Sequence, residues 1–237
     1  MAKVISLPRQ IAYLFFPRRC CCCGKVVPPG DEICADCLAA VSKIAEPACR
    51  HCGRGIAECV CREHKNFYSA VASPFYYEGP ARNCIRRLKF SGKTGCAQFL
   101  GREMARAAQA AFGDKAIDIA AFVPMSKKEI KARGYNQSRY LAQAVARELR
   151  LDFSEELLVK LYETRAQRTL KAGERAGNLA GVFDVAESER VKGKTILLCD
   201  DVITTGTTLN ECARMLLLSG ADAVFCLTAA ATKMKNH

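Results

Sequence analysis

The chain lacks a long hydrophobic run, and this absence bears on where the protein resides. None of its apolar stretches approaches the roughly 20 residues that a membrane-spanning helix needs. The longest apolar stretch near the start, residues 11–16, is too short for the core of a signal peptide, and no small-residue cleavage site follows it. The sequence therefore predicts a cytoplasmic protein without an integral membrane segment.

Acidic residues are scarce relative to basic ones. The 237 residues include 36 Lys and Arg against 24 Asp and Glu, which gives a formal net charge of +12. A basic surface favours anionic partners such as phosphates or nucleic acid, although it does not name either one. Half of the residues are apolar and a quarter are charged, so the chain is able to bury one core with a small appended module.

Cysteine, by contrast, is abundant and unevenly placed. Ten of the fifteen cysteines lie between residues 20 and 61. Two Cys separated by two residues form a tight turn that directs both sulfurs at one ion, and four such sulfurs complete a tetrahedral structural site. The spacing predicts one or two zinc ions held by Cys20, Cys23, Cys34, Cys37, Cys49, Cys52, Cys59 and Cys61. Two such sites would lower the net charge to about +8.

The second half of this cysteine-rich module leaves alternatives open. Its last pair is Cys-x-Cys, so His51 or His64 can replace one thiolate, and the first and third pairs can share an ion. Cys21 and Cys22 are interpreted as non-ligands, although a slip of register within Cys20 to Cys23 stays open. The cytoplasmic prediction disfavours disulfides, and the ribbon-like spacing favours zinc over an iron–sulfur cluster. A catalytic cysteine is disfavoured because metal ligation occupies the thiolate.

Residues 195–208 carry the clearest signal for chemistry. The apolar run 196–199 is typical of a buried strand in a parallel sheet, and apolar residues recur at helical spacing from Leu209 onward. A loop between a strand and a helix directs free backbone N–H groups at one spot, where a phosphate fits. Asp200 and Asp201 add carboxylates for vicinal sugar hydroxyls or a divalent cation. The loop itself contributes Thr204, Thr205, Gly206, Thr207 and Thr208.

This combination of groups suits a ribose 5-phosphate. Glycine lets the backbone approach the phosphate closely, and the threonines offer hydroxyl donors. A plain helix cap would explain an Asp-x-x-Thr pattern alone, but it does not explain the whole run at the end of an apolar strand.

A second loop follows another apolar run, residues 118–123, which Pro124 ends. Open α/β sheets bind ligands beyond the carboxyl ends of their strands, so this loop is expected to face the first one. Met125, Ser126, Lys127 and Arg133 are predicted to offer backbone N–H groups and positive charge to a pyrophosphate. The Asn-Gln-Ser run at 136–138 is explained as the cap of a following helix that carries Leu141, Val145 and Leu149 on one face.

The remaining segments complete an alternation of strands and helices. An amphipathic helix contains Ile85 and Leu88, and either its polar face is solvated or Lys89 or Lys93 faces the phosphates. The other predictions are a helix within residues 1–16, a strand or hairpin at 67–77, a helix at 97–112, strands at 157–161 and 221–230, and a mobile lid at 165–177.

Four segments, taken together and in this order, carry a family resemblance. They are the paired cysteines, Pro-Met-Ser-Lys-Lys at 124–128, Arg-Gly-Tyr-Asn-Gln at 133–137, and Asp-Asp-Val-Ile-Thr-Thr-Gly-Thr-Thr at 200–208. They resemble the ComF (GntX-like) family over essentially the full length, and the last one resembles the phosphoribosyl pyrophosphate (PRPP) signature of type I phosphoribosyltransferases. A threonine at position 204 argues against purine salvage.

The resemblance implies both a fold and a function. The fold is α/β, with a helix and a zinc-ribbon module in residues 1–64 and a parallel sheet flanked by helices in residues 65–237. PRPP would occupy the 200–208 loop with Mg²⁺, Asp200 and Asp201 would be catalytic, and the 124–128 loop would receive the pyrophosphate.

Transfer of the 5-phosphoribosyl group would go to an unknown acceptor, and no side chain in the sequence stands out as a base that activates it. Two other functions stay open. One is a non-catalytic competence protein that binds single-stranded DNA, and the other is a PRPP-sensing regulator.

Overall fold

The computed structural model describes residues 16–59, 61, 66–90, 95–161 and 181–234. Its eight strands are β1 (Ala70–Ala72), β2 (Phe75–Tyr76), β3 (Ile119–Phe122), β4 (Asp152–Phe153), β5 (Leu158–Lys160), β6 (Phe183–Val185), β7 (Thr195–Ile203) and β8 (Ala223–Ala231). Six of them form one sheet in the order β1-β8-β7-β3-β4, with β2 also paired to β8. Every pairing in that sheet is parallel, which confirms the predicted fold class.

The helices cover both faces of this sheet. They are α1 (Ala35–Ala40), α2 (Gly79–Phe90), α3 (Gly95–Phe112), α4 (Lys127–Arg133), α5 (Gln137–Leu149), α6 (Ser188–Val191) and α7 (Thr207–Leu218). Successive side chains of a strand point to opposite faces, so Leu197 packs with α2, α3 and α5 while Leu198 packs with α7. Both faces are therefore apolar, and this explains why β7 begins as an uninterrupted apolar run.

The carboxyl ends of the central strands meet at one edge of the sheet. Phe122 of β3 is paired with Cys199 of β7, so the segments that follow these two strands are neighbours. The predicted strands at 118–123, 196–199 and 221–230 are confirmed, and so are the predicted helix at 97–112 and the predicted helix that carries Leu141 and Leu149. This edge is where the sequence places the two ligand-binding loops.

Three details differ from the sequence prediction. Residues 67–77, predicted as a strand or a hairpin, contain strands but no hairpin, because β1 and β2 both pair parallel with β8. β5 is a strand as predicted, but it pairs antiparallel with β6 in a separate two-stranded sheet. The segment after β3 is largely helical, since α4 begins at Lys127 and includes Arg133.

The cysteine-rich segment packs directly against the sheet domain. Cys20, Val27 and Val41 belong to the same core cluster as residues of α2 and α3, and Ile44 joins the cluster on the opposite face. A cis peptide bond precedes Pro47, and a short 3-10 helix spans Ile56–Glu58. The helix expected within residues 1–16, the lid at 165–177, Lys93 and His64 lie outside the described residues, apart from Phe16. Among the described helices, none has the length and apolar character to cross a membrane.

Candidate functional site

The eight paired cysteines gather into two groups of four thiols. One group is Cys20, Cys23, Cys34 and Cys37, and the other is Cys49, Cys52, Cys59 and Cys61. Within each group all four sulfurs lie within 4.8 Å of one another. The first pair thus shares a group with the second pair, and the third pair shares a group with the fourth. Among the described residues, His51 joins neither group.

The sulfur spacing in both groups fits a tetrahedral metal ion. The Sγ atoms of Cys23 and Cys34 are 3.7 Å apart, and those of Cys52 and Cys59 are 3.8 Å apart. A Zn–S bond of about 2.3 Å gives a tetrahedron whose sulfur–sulfur edge is about 3.8 Å. Thiol donors at this separation are suited to structural zinc.

The loop from β7 to α7 has the form that binds a phosphate. Gly206, whose φ is +79°, precedes the first residue of α7, and a methyl group at its position would lie 3.1 Å from the Tyr68 hydroxyl oxygen. Glycine is therefore needed here for both its backbone angle and its size. Among the described residues, the backbone N–H groups of Thr205, Gly206 and Thr207 have no hydrogen-bond acceptor, and they stand at the amino end of a helix.

Asp201, within β7, is held by two side chains that arrive from distant elements. Lys89 at the end of α2 forms an ion pair with its Oδ2 atom at 2.6 Å, and the Gln137 amide nitrogen donates to the same oxygen at 2.8 Å. Burial alone would lower the pKa of Lys89, but the facing Asp201 carboxylate outweighs it and the Lys89 pKa is raised. The lysine is therefore charged and neutralises one of the two acids.

Asp200 is held through its Oδ1 atom. The Ser138 hydroxyl and the Asp201 backbone N–H both donate to its Oδ1 atom, each at 2.8 Å. Burial, followed by the charge of Asp201, raises the pKa of Asp200 to about 7. The described residues donate nothing to Asp200 Oδ2 or Asp201 Oδ1, so each acid keeps one oxygen for a ligand.

In the second predicted loop, more of the polar groups already form hydrogen bonds than in the first. The Ser126 hydroxyl accepts from the Glu129 backbone N–H, and the Ser126 N–H donates to the Glu129 carboxylate, which forms a capping box at the start of α4. Gly134 ends α4 with φ at +87°, and Asn136 caps α5 as predicted by accepting from the Ser138 N–H.

Arg133 connects this loop to the two acids. Its guanidinium donates to the Gln137 side-chain oxygen and lies 5.7 Å from the centre of the Phe90 ring. Lys89, Phe90 and Arg133 line an open cavity of about 280 Å³, and Lys89 is the ion-pair partner of Asp201. Lys127 is exposed at the start of α4, and half-buried Met125 lies beside Arg133.

Several residues of the site were not foreseen from the sequence, and the most informative is Arg54 in the cysteine-rich segment. Only 3% of its surface is exposed. It donates to the Thr204 carbonyl oxygen at 2.7 Å and to the Thr232 carbonyl oxygen at 2.6 Å, where β7 and β8 end. Arg54 stands between Cys52 and Cys59, so it ties the second thiol group to the loop after β7.

Two family models match separate parts of the chain. The double zinc ribbon domain matches residues 11–67, and the phosphoribosyl transferase domain matches residues 136–236. The first match covers both thiol groups, and the second covers β7, its acids and the following loop. Among solved structures, the allosteric regulatory enzyme of purine biosynthesis covers 56% of this chain and 25% of its own at 22% identity, with a TM-score of only 0.37, which is too low to add support.

Curated relatives match most of the chain at modest identity. Competence protein F of Haemophilus influenzae is 27% identical over 89% of this chain and 95% of its own. The DNA utilization protein YhgH of Escherichia coli K12 is 29% identical over 86% of each chain. Competence protein ComFC of Bacillus subtilis is 25% identical over 82% of each chain. The chain thus carries a double zinc ribbon domain followed by a phosphoribosyltransferase domain, and over most of its length it is similar to the proteins named Competence protein F, YhgH and ComFC.

Proposed function

We propose that the protein binds PRPP together with Mg²⁺ and transfers its 5-phosphoribosyl group to an acceptor, releasing pyrophosphate. One observation carries this proposal: the loop after β7 combines free N–H groups at the start of α7 with two adjacent acids that each keep an open oxygen. A ribose 5-phosphate presents a dianion and vicinal hydroxyls in that same arrangement, and the helix end favours the dianion.

Each group of the site has a proposed role. The N–H groups and hydroxyls of Thr204, Thr205, Gly206, Thr207 and Thr208 bind the 5-phosphate. Asp200 and Asp201 accept hydrogen bonds from the ribose hydroxyls, and they stabilise the positive charge that develops on the ribose as the bond to pyrophosphate breaks. Mg²⁺, when bound, would neutralise the diphosphate and make it a better leaving group. Met125, Ser126, Lys127 and Arg133 are proposed to face the departing pyrophosphate.

The roles of the second loop require a local change. Ser126 uses its N–H and its hydroxyl within the capping box, so the start of α4 must open before both groups meet a ligand. Lys127 is already exposed and needs no such change. The open cavity beside Arg133 is the proposed place for the acceptor, because it adjoins the acids through Lys89.

We also propose that each group of four thiols holds a structural Zn²⁺ and that the domains meet at residues 64 and 65. So short a segment gains most of its folding free energy from the ion. All fifteen cysteines are free thiols in the structure.

Calorimetry with PRPP and Mg²⁺ tests the proposal on the wild type and on the Asp200→Asn/Asp201→Asn double variant. We expect saturable binding by the wild type and at least a tenfold loss in the double variant. Asp222→Asn is the matched control, because this exposed acid lies at the opposite edge of the sheet, before β8. Binding that survives the double substitution would remove the site assignment.

A second assay separates turnover from sensing. Pyrophosphate release is followed with nucleobases and small amines as acceptors, and release above the acceptor-free rate supports transfer. Tight binding with no release for any acceptor would favour a PRPP-sensing regulator.

A second function is favoured by the relatives' names and by the charge of +12. In this alternative the protein binds single-stranded DNA without catalysis, and its affinity falls steeply with salt. Fluorescence anisotropy with a labelled oligonucleotide measures this. Salt-sensitive DNA binding without any PRPP binding would replace the first proposal.

A further inference from the structure

A third group of cysteine thiols lies outside the two groups of the zinc ribbons. The Sγ atoms of Cys21, Cys22 and Cys84 all lie within 4.8 Å of one another. A fourth thiol, Cys96, donates to the Cys21 carbonyl oxygen at 3.6 Å and contacts the Cys84 thiol. All four side chains are buried.

These thiols come from three separate parts of the fold. Cys21 and Cys22 occupy the turn between Cys20 and Cys23, which the hydrogen bond from the Gly24 N–H to the Cys20 carbonyl closes at 2.9 Å. The turn therefore presents Cys20 and Cys23 to the first ribbon group and its two middle thiols to the sheet domain. There Cys84 lies in the interior of α2 and Cys96 in the first turn of α3.

Ordinary core packing explains only part of this arrangement. Buried cysteine behaves as a small apolar residue, which accounts for the burial. It does not require several thiols to converge. The Cys21 and Cys22 sulfurs are 3.8 Å apart, the same spacing as in the two ribbon groups and the edge expected for a tetrahedral thiolate site.

A half-buried arginine lies beside this third group. Arg87 of α2 lines a cavity of about 240 Å³ together with Cys21 and Cys96. Its Nε atom is buried and has no hydrogen-bond partner within the described ranges. A divalent ion with three or four thiolates carries a net charge of about −1 or −2, so a neighbouring guanidinium would offset it.

We propose that Cys21, Cys22 and Cys84, with Cys96 as fourth donor, form a third metal site that takes a thiophilic ion, Zn²⁺ or Cu⁺. Thiol-only donor sets select such soft ions over Mg²⁺ or Ca²⁺. Each ligating thiol gives its proton to solvent when the ion binds. The site joins the first ribbon to α2 and α3, so the ion crosslinks the two domains.

Metal analysis of the full-length protein tests this site. We expect three metal ions per chain in the wild type and two in Cys84→Ala. Cys226→Ala is the matched control, because Cys226 is equally buried in β8 and belongs to none of the three groups, and it should retain three ions. Cobalt substitution adds a spectroscopic readout: the thiolate charge-transfer absorption per chain should fall by about a third in Cys84→Ala.

Copper distinguishes the two candidate ions. Titration with Cu⁺ against a chelator should show one extra equivalent bound by the wild type and absent from Cys84→Ala if Cu⁺ is the occupant. Two ions per chain in the wild type after both zinc and copper loading would overturn the proposal. So would equal metal content in wild type and Cys84→Ala, or a disulfide among these four cysteines in the purified protein.

Discussion

Replacing Arg54 with Met tests whether the cysteine-rich segment shapes the loop after β7, where we propose that PRPP binds. The substitution keeps most of the apolar stem and removes the guanidinium, which donates to the carbonyl oxygens of Thr204 and Thr232. Hydrogen bonds from a charged donor contribute about 1.5–3 kcal/mol each, so we expect the loss of both to lower the free energy of unfolding by about 3–6 kcal/mol.

The effect on ligand binding follows from the same contacts. If about two residues at the start of the loop lose their fixed conformation, ordering them again on binding costs about 2–3 kcal/mol. That cost corresponds to roughly 30- to 150-fold weaker PRPP binding, since each 1.4 kcal/mol is about tenfold. Arg54→Lys should fall in between, because lysine keeps the charge but not the two-pronged geometry.

Calorimetry with Mg²⁺ and PRPP, zinc content and chemical denaturation measure these effects together. Arg50→Met is the matched control, because Arg50 lies in the same ribbon and its side chain is exposed. The reasoning is refuted if folded Arg54→Met binds PRPP as tightly as the wild type does. If the wild type itself does not bind PRPP, the proposed function fails. That result would not arise from the contacts between Arg54 and the loop.

Three further predictions concern the acids and the loop. Lys89→Met should lower the free energy of unfolding by about 3–5 kcal/mol in chemical denaturation, because it leaves Asp201 buried without its charge partner; a loss below 1 kcal/mol would contradict the ion pair. The pKa of Asp200 is raised to about 7, so the native state holds its proton more tightly than the unfolded chain, and stability should fall as pH rises from 4 to 7. In Asp200→Asn the free energy of unfolding should fall less steeply over this pH range, by up to about 1.4 kcal/mol per pH unit. Parallel plots of unfolding free energy against pH for the two proteins would disprove the raised pKa of Asp200. Gly206→Ala should weaken PRPP binding at least tenfold in the same calorimetric assay. Alanine disfavours a φ of +79°, and its methyl group would crowd the Tyr68 hydroxyl. Unchanged affinity would show that alanine does not strain the turn.

Local patterns were enough to predict the elements on which the site is built. The apolar run at 196–199 and the helical spacing after Leu209 both reflect burial against the sheet, which leaves a periodic trace in the sequence. The cap of α5 by Asn136 was predictable for a similar reason, because it depends only on its neighbours.

The partners of the acids were not predictable in this way. Ser138 and Gln137 meet Asp200 and Asp201 from more than 60 positions away, and Arg54 reaches Thr204 across 150 positions. No periodicity or local motif encodes such contacts, since they depend on which strands become neighbours. The parallel pairing of β1 and β2 with β8 was missed for the same reason.

The sequence placed eight cysteines in a zinc module but left their grouping open. Spacing alone allowed the first and third pairs to share an ion, whereas the structure brings neighbouring pairs together. The sequence alone interprets Cys21 and Cys22 as non-ligands, and their approach to Cys84 of α2 is a contact that only the folded chain reveals.

Hydrogen–deuterium exchange of the loop after β7, with and without PRPP and Mg²⁺, tests the central claim most directly. The backbone N–H groups of Thr205, Gly206 and Thr207 have no acceptor among the described residues, so they should exchange quickly in the free protein. The account predicts that saturating PRPP slows their exchange at least tenfold. Unchanged exchange at these three groups, under conditions where calorimetry shows PRPP bound, would place the ligand elsewhere and contradict the account.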